Sequence, residues 1–359
     1  FITRFNPRGN KSFRKKNTLF TIIEKNTKIN RTKNRECIEF TNSDHINLFC
    51  AAVRTKVTEF ERKGTDAEHK AGKFVYQAKP MEKNHVIRIQ CSDRKGLIAG
   101  ITNCLFQHGH NIMAMKEFVD TATAQFFARL ETTGNLLPHT IEEELTALLP
   151  PGARVEIIPP RKKKLVILVT KEYHCLGDLL VRHFFGELHA DILAVVGNYS
   201  TLAPFTEKFG IPFHEVSHQG ISREEFEARL LQAIKAYDPD YLVLAKFMRI
   251  LSPSFVEQYQ ERIINIHHSF LPAFVGANPY KQAFERGVKL IGATAHIVNN
   301  DLDEGPIITQ QIIPVKHDDG VTDMVEAGHE IEKAVLADAL KLVLEDRIFV
   351  SGNKTIVFT

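Results

Sequence analysis

The stretch Arg262-Ile263-Ile264-Asn265-Ile266-His267-His268-Ser269-Phe270-Leu271-Pro272 decides how this chain is read. Its first half is a short apolar run rich in β-branched residues, the composition of a strand covered on both faces. A buried strand of this kind delivers an amide, Asn265, and an imidazole, His267, to its C-terminal end. Further on, Leu302-Asp303-Glu304-Gly305-Pro306 reads as a turn that delivers a carboxylate just before another strand, Pro306 to Ile313. These are parts for attack on a carbonyl. The amide and a protonated imidazole can stabilise an oxyanion, and the carboxylate can position or deprotonate a water. Taken singly, each has a plainer reading: Asn265 as a strand-end hydrogen bonder, His267 as a core histidine, Asp303 as a turn cap.

Working outward, similar apolar runs recur at Leu165–Thr170, Ile192–Gly197, Tyr241–Ala245 and Ala293–Val298. Helical patterns lie between the strands at Leu176–Phe185, Thr201–Phe209 and Arg223–Tyr237, and a last helix, about Asp323 to Leu344, is expected to pack on the outside. This alternation predicts an α/β, Rossmann-like doubly wound domain over residues 165–359, with ligands bound beyond the C-terminal strand ends. His296, on the strand before the Asp303 loop, supports that loop or acts directly. Before this domain, Pro159-Pro160-Arg161-Lys162-Lys163-Lys164 reads as a stiff, basic, exposed linker. Residues 84–158 follow the order βαββαβ, which predicts a ferredoxin-like sandwich. Its first turn, Asp93-Arg94-Lys95-Gly96-Leu97, opens a helix at Ile98–His108, and Asn111 begins the next strand. The exposed N–H groups at such a helix start can receive a carboxylate.

With 359 residues the chain has room for about two domains. Its charge is uneven. Residues 1–80 carry 18 Lys and Arg against 8 Asp and Glu, while the remainder carries 28 against 35. Nucleic-acid binding is one reading of such a basic arm. A disordered, solvated extension is preferred, because no aromatic–basic platform or hydrophobic period accompanies the charge. The first Met is Met81, where the composition changes character, so residues 1–80 are read as upstream sequence with Met81 as the natural start. A transit peptide finds little support, with no clear amphipathic helix. Five cysteines without a C-x-x-C pair suit a reducing cytosol, and a cytoplasmic location is expected. No run of eighteen apolar residues marks a membrane span. His214-Glu215-Val216-Ser217-His218 spells the zinc-protease motif H-E-x-x-H, which works only on a helix. Here Pro212 precedes it and Gly220 follows it, and the segment alternates like a strand. In a strand, histidines four apart lie about 13 Å from each other. No metal is expected, and the two histidines are placed on the surface or the site rim.

The segments N-x-H-x-S-x-L-P at Asn265–Pro272 and L-D-x-G-P-I-I at Leu302–Ile308 resemble the folate-dependent formyl transferase family. Within it the closer likeness, over roughly residues 84–359, is to the formyltetrahydrofolate deformylases. The resemblance implies that Asn265, His267 and Asp303 form the catalytic centre of a hydrolase that splits 10-formyltetrahydrofolate into tetrahydrofolate and formate for purine synthesis. It implies that Asp303 orients and activates water, His267 stabilises the oxyanion and helps protonate N10, and Asn265 donates a second hydrogen bond. Phe247, Met248, Arg249, Ile250 and Leu251 resemble the segment that holds the pterin ring, with His296 and Asn300 nearby as folate contacts; Ser252-Pro253 also makes this stretch a helix start. No metal or redox cofactor is implied. The turn D-R-x-G-L-I resembles the ACT domain, which implies a regulatory unit binding an amino acid such as glycine or methionine through Asp93, Gly96, Leu97 and Asn111 across a homo-oligomer interface. A transferase would need a Gly/Ser-rich phosphate loop after its first strand. Here Thr170-Lys171-Glu172-Tyr173-His174-Cys175-Leu176-Gly177 stands instead and resembles the deformylase version, so water is the expected acceptor. A formyl transferase with an amine acceptor and a non-catalytic folate-binding regulator are the alternatives. Asn278 and Lys281 depart from the Arg and His usual in the family.

Overall fold

The computed structural model describes residues 28–32, 35–39, 84–134, 138–273 and 279–359. The chain divides into two units, Phe1–Pro80 and Met81–Thr359. In the first, β1 (Lys28–Thr32) pairs antiparallel with β2 (Arg35–Glu39). The rest of what was expected of residues 1–80 lies outside the described residues.

The second unit begins with the order expected from the sequence: β3 (His85–Ser92), α1 (Leu97–Gln107), β4 (Asn111–Asp120), β5 (Gln125–Thr133), α2 (Pro138–Leu148) and β6 (Arg154–Ile158). The sheet order β4-β5-β3-β6 is antiparallel throughout, the ferredoxin-like arrangement. Ile87, Ile89 and Cys91 alternate inward from β3 and meet Leu97, Ile101 and Leu105 of α1, spaced by four along one helix face. Gly96, at φ +89, takes the left-handed turn that starts this helix.

The remaining elements are β7 (Lys163–Val169), α3 (His174–Phe184), β8 (Ala190–Gly197), α4 (Ala203–Glu207), β9 (Phe213–Glu215), α5 (Arg223–Lys235), β10 (Tyr241–Leu244), α6 (Pro253–Gln258), β11 (Ile263–His267), α7 (Pro279–Arg286), β12 (Leu290–Ile297), β13 (Ile307–Pro314), α8 (Val321–Leu344), β14 (Ile348–Ser351) and β15 (Lys354–Val357). They form a seven-stranded sheet in the order β13-β12-β11-β10-β7-β8-β9. Strands β7 to β11 run parallel, β12 runs antiparallel to them, and β13, antiparallel to β12, runs in their direction again. The strand order reverses between β7 and β10, and a crevice opens beyond the C-terminal ends there. One face of the sheet is covered by α3 and α8, whose Leu176, Leu179, Leu180, Val335, Leu336 and Leu340 are buried. The other face is covered by α5 and α6 through Phe226, Leu230 and Phe255. Each such side chain contributes about 1.5–3 kcal/mol when fully withdrawn from water.

Three features differ from the sequence expectation. The linker is shorter than six residues, because Lys163 and Lys164 already belong to β7, and Lys163 is buried, 2.9 Å from Asp346. Helix α8 is more central than an outer helix, with Glu332 fully buried in its middle. A C-terminal hairpin, β14–β15, was not anticipated. Phe349 on β14 and Phe358 just after β15 pack with Phe127 of β5, and Arg129 donates to the carbonyls of Glu345 and Asp346 just past the end of α8. Cationic donors at those carbonyls complement the helix dipole.

Candidate active site

Asn265 sits near the end of β11, paired with Leu244 on β10 and directly opposite His296 on β12. That register explains the contact between them: Asn265 Nδ2 lies 3.1 Å from His296 Nε2. His296 Nδ1 is 3.1 Å from the Ile297 carbonyl, to which it donates, so in a neutral ring Nε2 is the acceptor for the Asn265 amide. The amide keeps a second N–H. His267 ends β11, is 5% exposed, and its Nδ1 stands 3.3 Å from Asp303 Oδ2. Its Nε2 is buried and has no protein partner. Asp303 Oδ1 lies 3.7 Å from His296 Nε2. Burial pushes the Asp303 carboxyl up, but the His267 and His296 imidazoles beside it outweigh this and hold the group well below the usual carboxylate range.

The Asp303 loop is held by a close approach. A Cβ on Gly305 would lie 1.8 Å from the Ile297 carbonyl oxygen, so only glycine fits there. Asp303 itself takes φ +58, a left-handed conformation uncommon for a non-glycine residue. His268, just past the end of β11, stacks on His267, with centroids 5.1 Å apart, and lines the same cleft. Burial, reinforced by the Lys246 charge, pushes the His268 imidazole down to about 4, so it is a neutral ring at pH 7.

A cleft of about 290 Å³ gathers these groups. Asn265, His267, His296, Asn300 and Asp303 line it together with all five residues from Phe247 to Leu251. Every residue singled out for catalysis and folate contact therefore faces one cavity. Met248 and Ile250 are exposed there, an apolar edge open to a ligand, while Phe247 is buried beneath it. The Met248 N–H donates to Thr170 Oγ1 at 2.9 Å, which ties this wall to the end of β7.

The comparisons with known proteins agree with this geometry. The formyl transferase family profile matches residues 163–340. The formyltetrahydrofolate deformylase of Escherichia coli (strain K12) is 53% identical over 272 residues, covering 76% of this chain and 97% of the relative. The chain belongs to the formyltetrahydrofolate deformylase family. A crystal structure of a formyltetrahydrofolate deformylase from Pseudomonas syringae pv. tomato superimposes with a TM-score of 0.73 at 38% identity, covering 77% of this chain and 94% of that one. A glycinamide ribonucleotide transformylase from Symbiobacterium toebii reaches 0.54 at 28% identity, covering 56% of this chain and 97% of its own. The deformylase likeness thus spans more of this chain than the transferase likeness.

Other sequence expectations fare differently in this deformylase-family chain. The four effector candidates are not brought together within one chain. Asp93, Gly96 and Leu97 lie where α1 begins, and Asn111 follows the end of that helix, about 16 Å away by helix rise. The Leu97 side chain is 3% exposed and belongs to the core, so only its backbone can face a ligand. The H-E-x-x-H histidines sit on and after a strand, as expected, but half-buried: His214 Nε2 meets Tyr237 Oη at 2.5 Å, and His218 Nδ1 lies 3.3 Å from Asn198 Nδ2. Among the described residues, the triads with metal-ligand spacing are elsewhere, at Cys104/His108/Glu144, Glu172/His174/His329 and His174/Cys175/Glu332. Cys91, Cys104 and Cys175 are free and buried. Asn278 lies outside the described residues, and Lys281 pairs with Glu285 on the surface of α7 at 3.8 Å.

One group escaped the sequence reading. Behind the cleft, Glu332 meets His174, Lys246 and Tyr280. The available signal was a carboxylate on the apolar stripe of α8, flanked by Ile331, Val335 and Leu336.

Proposed function

We propose that the chain hydrolyses 10-formyltetrahydrofolate to tetrahydrofolate and formate, and that Asn265, His267 and Asp303 carry the reaction. The convergence of these three side chains with the Phe247–Leu251 wall in one cleft carries the reading. The pterin ring lies along the apolar wall, and Asn300 and His296 flank the formyl end. Asp303 accepts a hydrogen bond from the attacking water. A carboxyl held this low is a weak base alone, so the released proton is shared across the Asp303–His267 pair. His267 Nε2, free of protein partners, donates to the oxyanion, and the second N–H of Asn265 donates beside it. Collapse of the tetrahedral intermediate sends the electron pair of the C–N bond to N10, which takes a proton from the pair, and the formic acid released gives its remaining hydroxyl proton to solvent and leaves as formate.

Water is the acceptor because the loop after β7 offers no cradle for a phosphorylated amine. Glu172 stands there, held 3.6 Å from Lys246 Nζ and 3.6 Å from His329 Nε2. Lys171 lies over the Tyr199 ring at 4.1 Å. The chemistry requires no metal or redox cofactor, and the site belongs to a cytoplasmic, homo-oligomeric enzyme. The ferredoxin-like unit binds a small amino acid, glycine or methionine, between subunits. That arrangement accommodates the separation of Asn111 from the start of α1, since a partner copy can bring the two ends together. The test is formate release from 10-formyltetrahydrofolate by the full chain, run with and without chelator and with amine acceptors. Release into water alone, unaffected by chelator, is expected. Formyl transfer to an amine in preference to water would replace this reading.

A further inference from the structure

Glu332 is fully buried, and nothing in the hydrolysis uses it. Its Oε2 accepts from His174 Nε2 at 2.8 Å and faces Lys246 Nζ at 3.2 Å, while its Oε1 accepts from Tyr280 Oη at 2.6 Å. All three partners are buried too. Burial raises the Glu332 carboxyl, but the His174 hydrogen bond and the Lys246 charge reverse this and bring it down to about 2. The cluster joins α8, the start of α3, the loop carrying Glu172, α7, and the segment after β10. His329 stacks on His174 at 4.0 Å, and His268 lies 6.2 Å from the Tyr280 ring. Gly328, one turn before Glu332, leaves room for Tyr280; a Cβ there would come within 2.2 Å of its ring and hydroxyl.

A buried ion pair is weak evidence for stability, since desolvation offsets its attraction; such pairs are better explained where they fix a conformation. Here a conformation needs fixing. Lys246 takes φ +62, left-handed backbone on a long side chain. It is also the residue that launches Phe247–Leu251 into the cleft. A divalent cation in place of this arrangement is disfavoured, because the Lys246 ammonium already faces the oxygen a metal would take.

We propose that Glu332 is a positioning residue: by anchoring the Lys246 ammonium it holds the left-handed turn at that residue and so aims the Phe247–Leu251 wall at the folate ring. The proposal rests on reading the cleft as the formyl-folate site. Without the anchor, the wall samples other directions, and the ligand must select the competent one. Affinity then falls by the fraction competent, while turnover of bound substrate is kept.

The test uses Glu332→Gln and the double variant Glu332→Gln/Lys246→Met in the full chain. Tetrahydrofolate binding is followed by calorimetry, and KM and kcat by formate release. Glu332→Gln leaves the buried ammonium with only the more exposed Glu172, at 3.6 Å, as counter-charge, and its melting temperature should fall. The double variant removes both charges and should recover melting temperature. Both variants, where folded, should show KM and the tetrahydrofolate Kd raised about tenfold or more, with kcat within about threefold of wild type. A purely structural pair would instead give a double variant that recovers folate affinity along with stability. That result, or a folded Glu332→Gln with unchanged affinity, overturns the proposal and leaves the hydrolase reading standing. A wild type that binds no tetrahydrofolate overturns both.

Discussion

Replacing Asp303 by Asn separates the chemistry of the site from its shape. Asn is nearly isosteric and is one of the few residues that accepts the left-handed conformation, φ +58, which Asp303 adopts. The loop should therefore keep its path, with Gly305 still seated against Ile297. What disappears is the negative charge 3.3 Å from His267 Nδ1 and 3.7 Å from His296 Nε2. An amide cannot share the proton taken from water, and it no longer stabilises a positively charged His267. Loss of one positioned acid–base group costs about 10²–10⁴ in rate, which corresponds to about 3–5 kcal/mol in the barrier. The assay is single-turnover formate release, with tetrahydrofolate binding and thermal unfolding measured in parallel. Turnover should fall by about two to four orders of magnitude, with affinity and melting temperature near wild type. Turnover within threefold of wild type would show that Asp303 neither positions nor deprotonates the water.

Three further outcomes are expected. Gly305→Ala should displace the Asp303 loop, because its Cβ cannot share space with the Ile297 carbonyl; overpacking of this kind costs about 1–3 kcal/mol, and unaltered melting and turnover would refute it. His296→Gln removes one of the two imidazoles that hold the Asp303 carboxyl down. The carboxyl should then titrate higher, so the acid limb of the pH–rate profile moves to higher pH, and an unmoved limb would place His296 outside this coupling. Glycine or methionine, titrated calorimetrically, should bind the ferredoxin-like unit and alter tetrahydrofolate affinity, with folate altering theirs reciprocally; no binding of either would leave that unit without an amino-acid effector.

The sequence carried much of this architecture because its strands are short β-branched runs with clear ends. The strand read in the first half of Arg262–Pro272 is observed at Ile263–His267. The reversed direction of β12 between β11 and β13 is less visible, since parallel and antiparallel strands share composition. A signal existed nonetheless. The connection from Ile297 to Ile307 is too short for the crossover a parallel pair requires. The hairpin β14–β15 had one as well: Gly352-Asn353 forms a two-residue loop between its strands, a composition that favours tight hairpin turns. The three catalytic candidates were legible because each ends an apolar strand or sits in a turn beside one, where a polar residue stands out. Glu332 was obscured by its setting, since its partners His174, Lys246 and Tyr280 are each about 50 or more residues away in the chain and meet only through the fold.

Backbone strain at the site was not legible at all. Asp303 and Lys246 are both left-handed, yet neither is a glycine, and the turn pattern around Asp303 does not say which of its residues takes that conformation. Glycine would adopt either conformation freely. It would also delete the carboxylate that faces His267 and His296, or the ammonium that faces Glu332. In both places the strained residue carries the charge that makes its own compensating contacts. Strain held this way depends on the partners, so a variant that weakens them should change the direction in which the loop leaves its strand before it unfolds the domain. The two charged turns thus link the buried polar groups behind the cleft to the geometry of its walls.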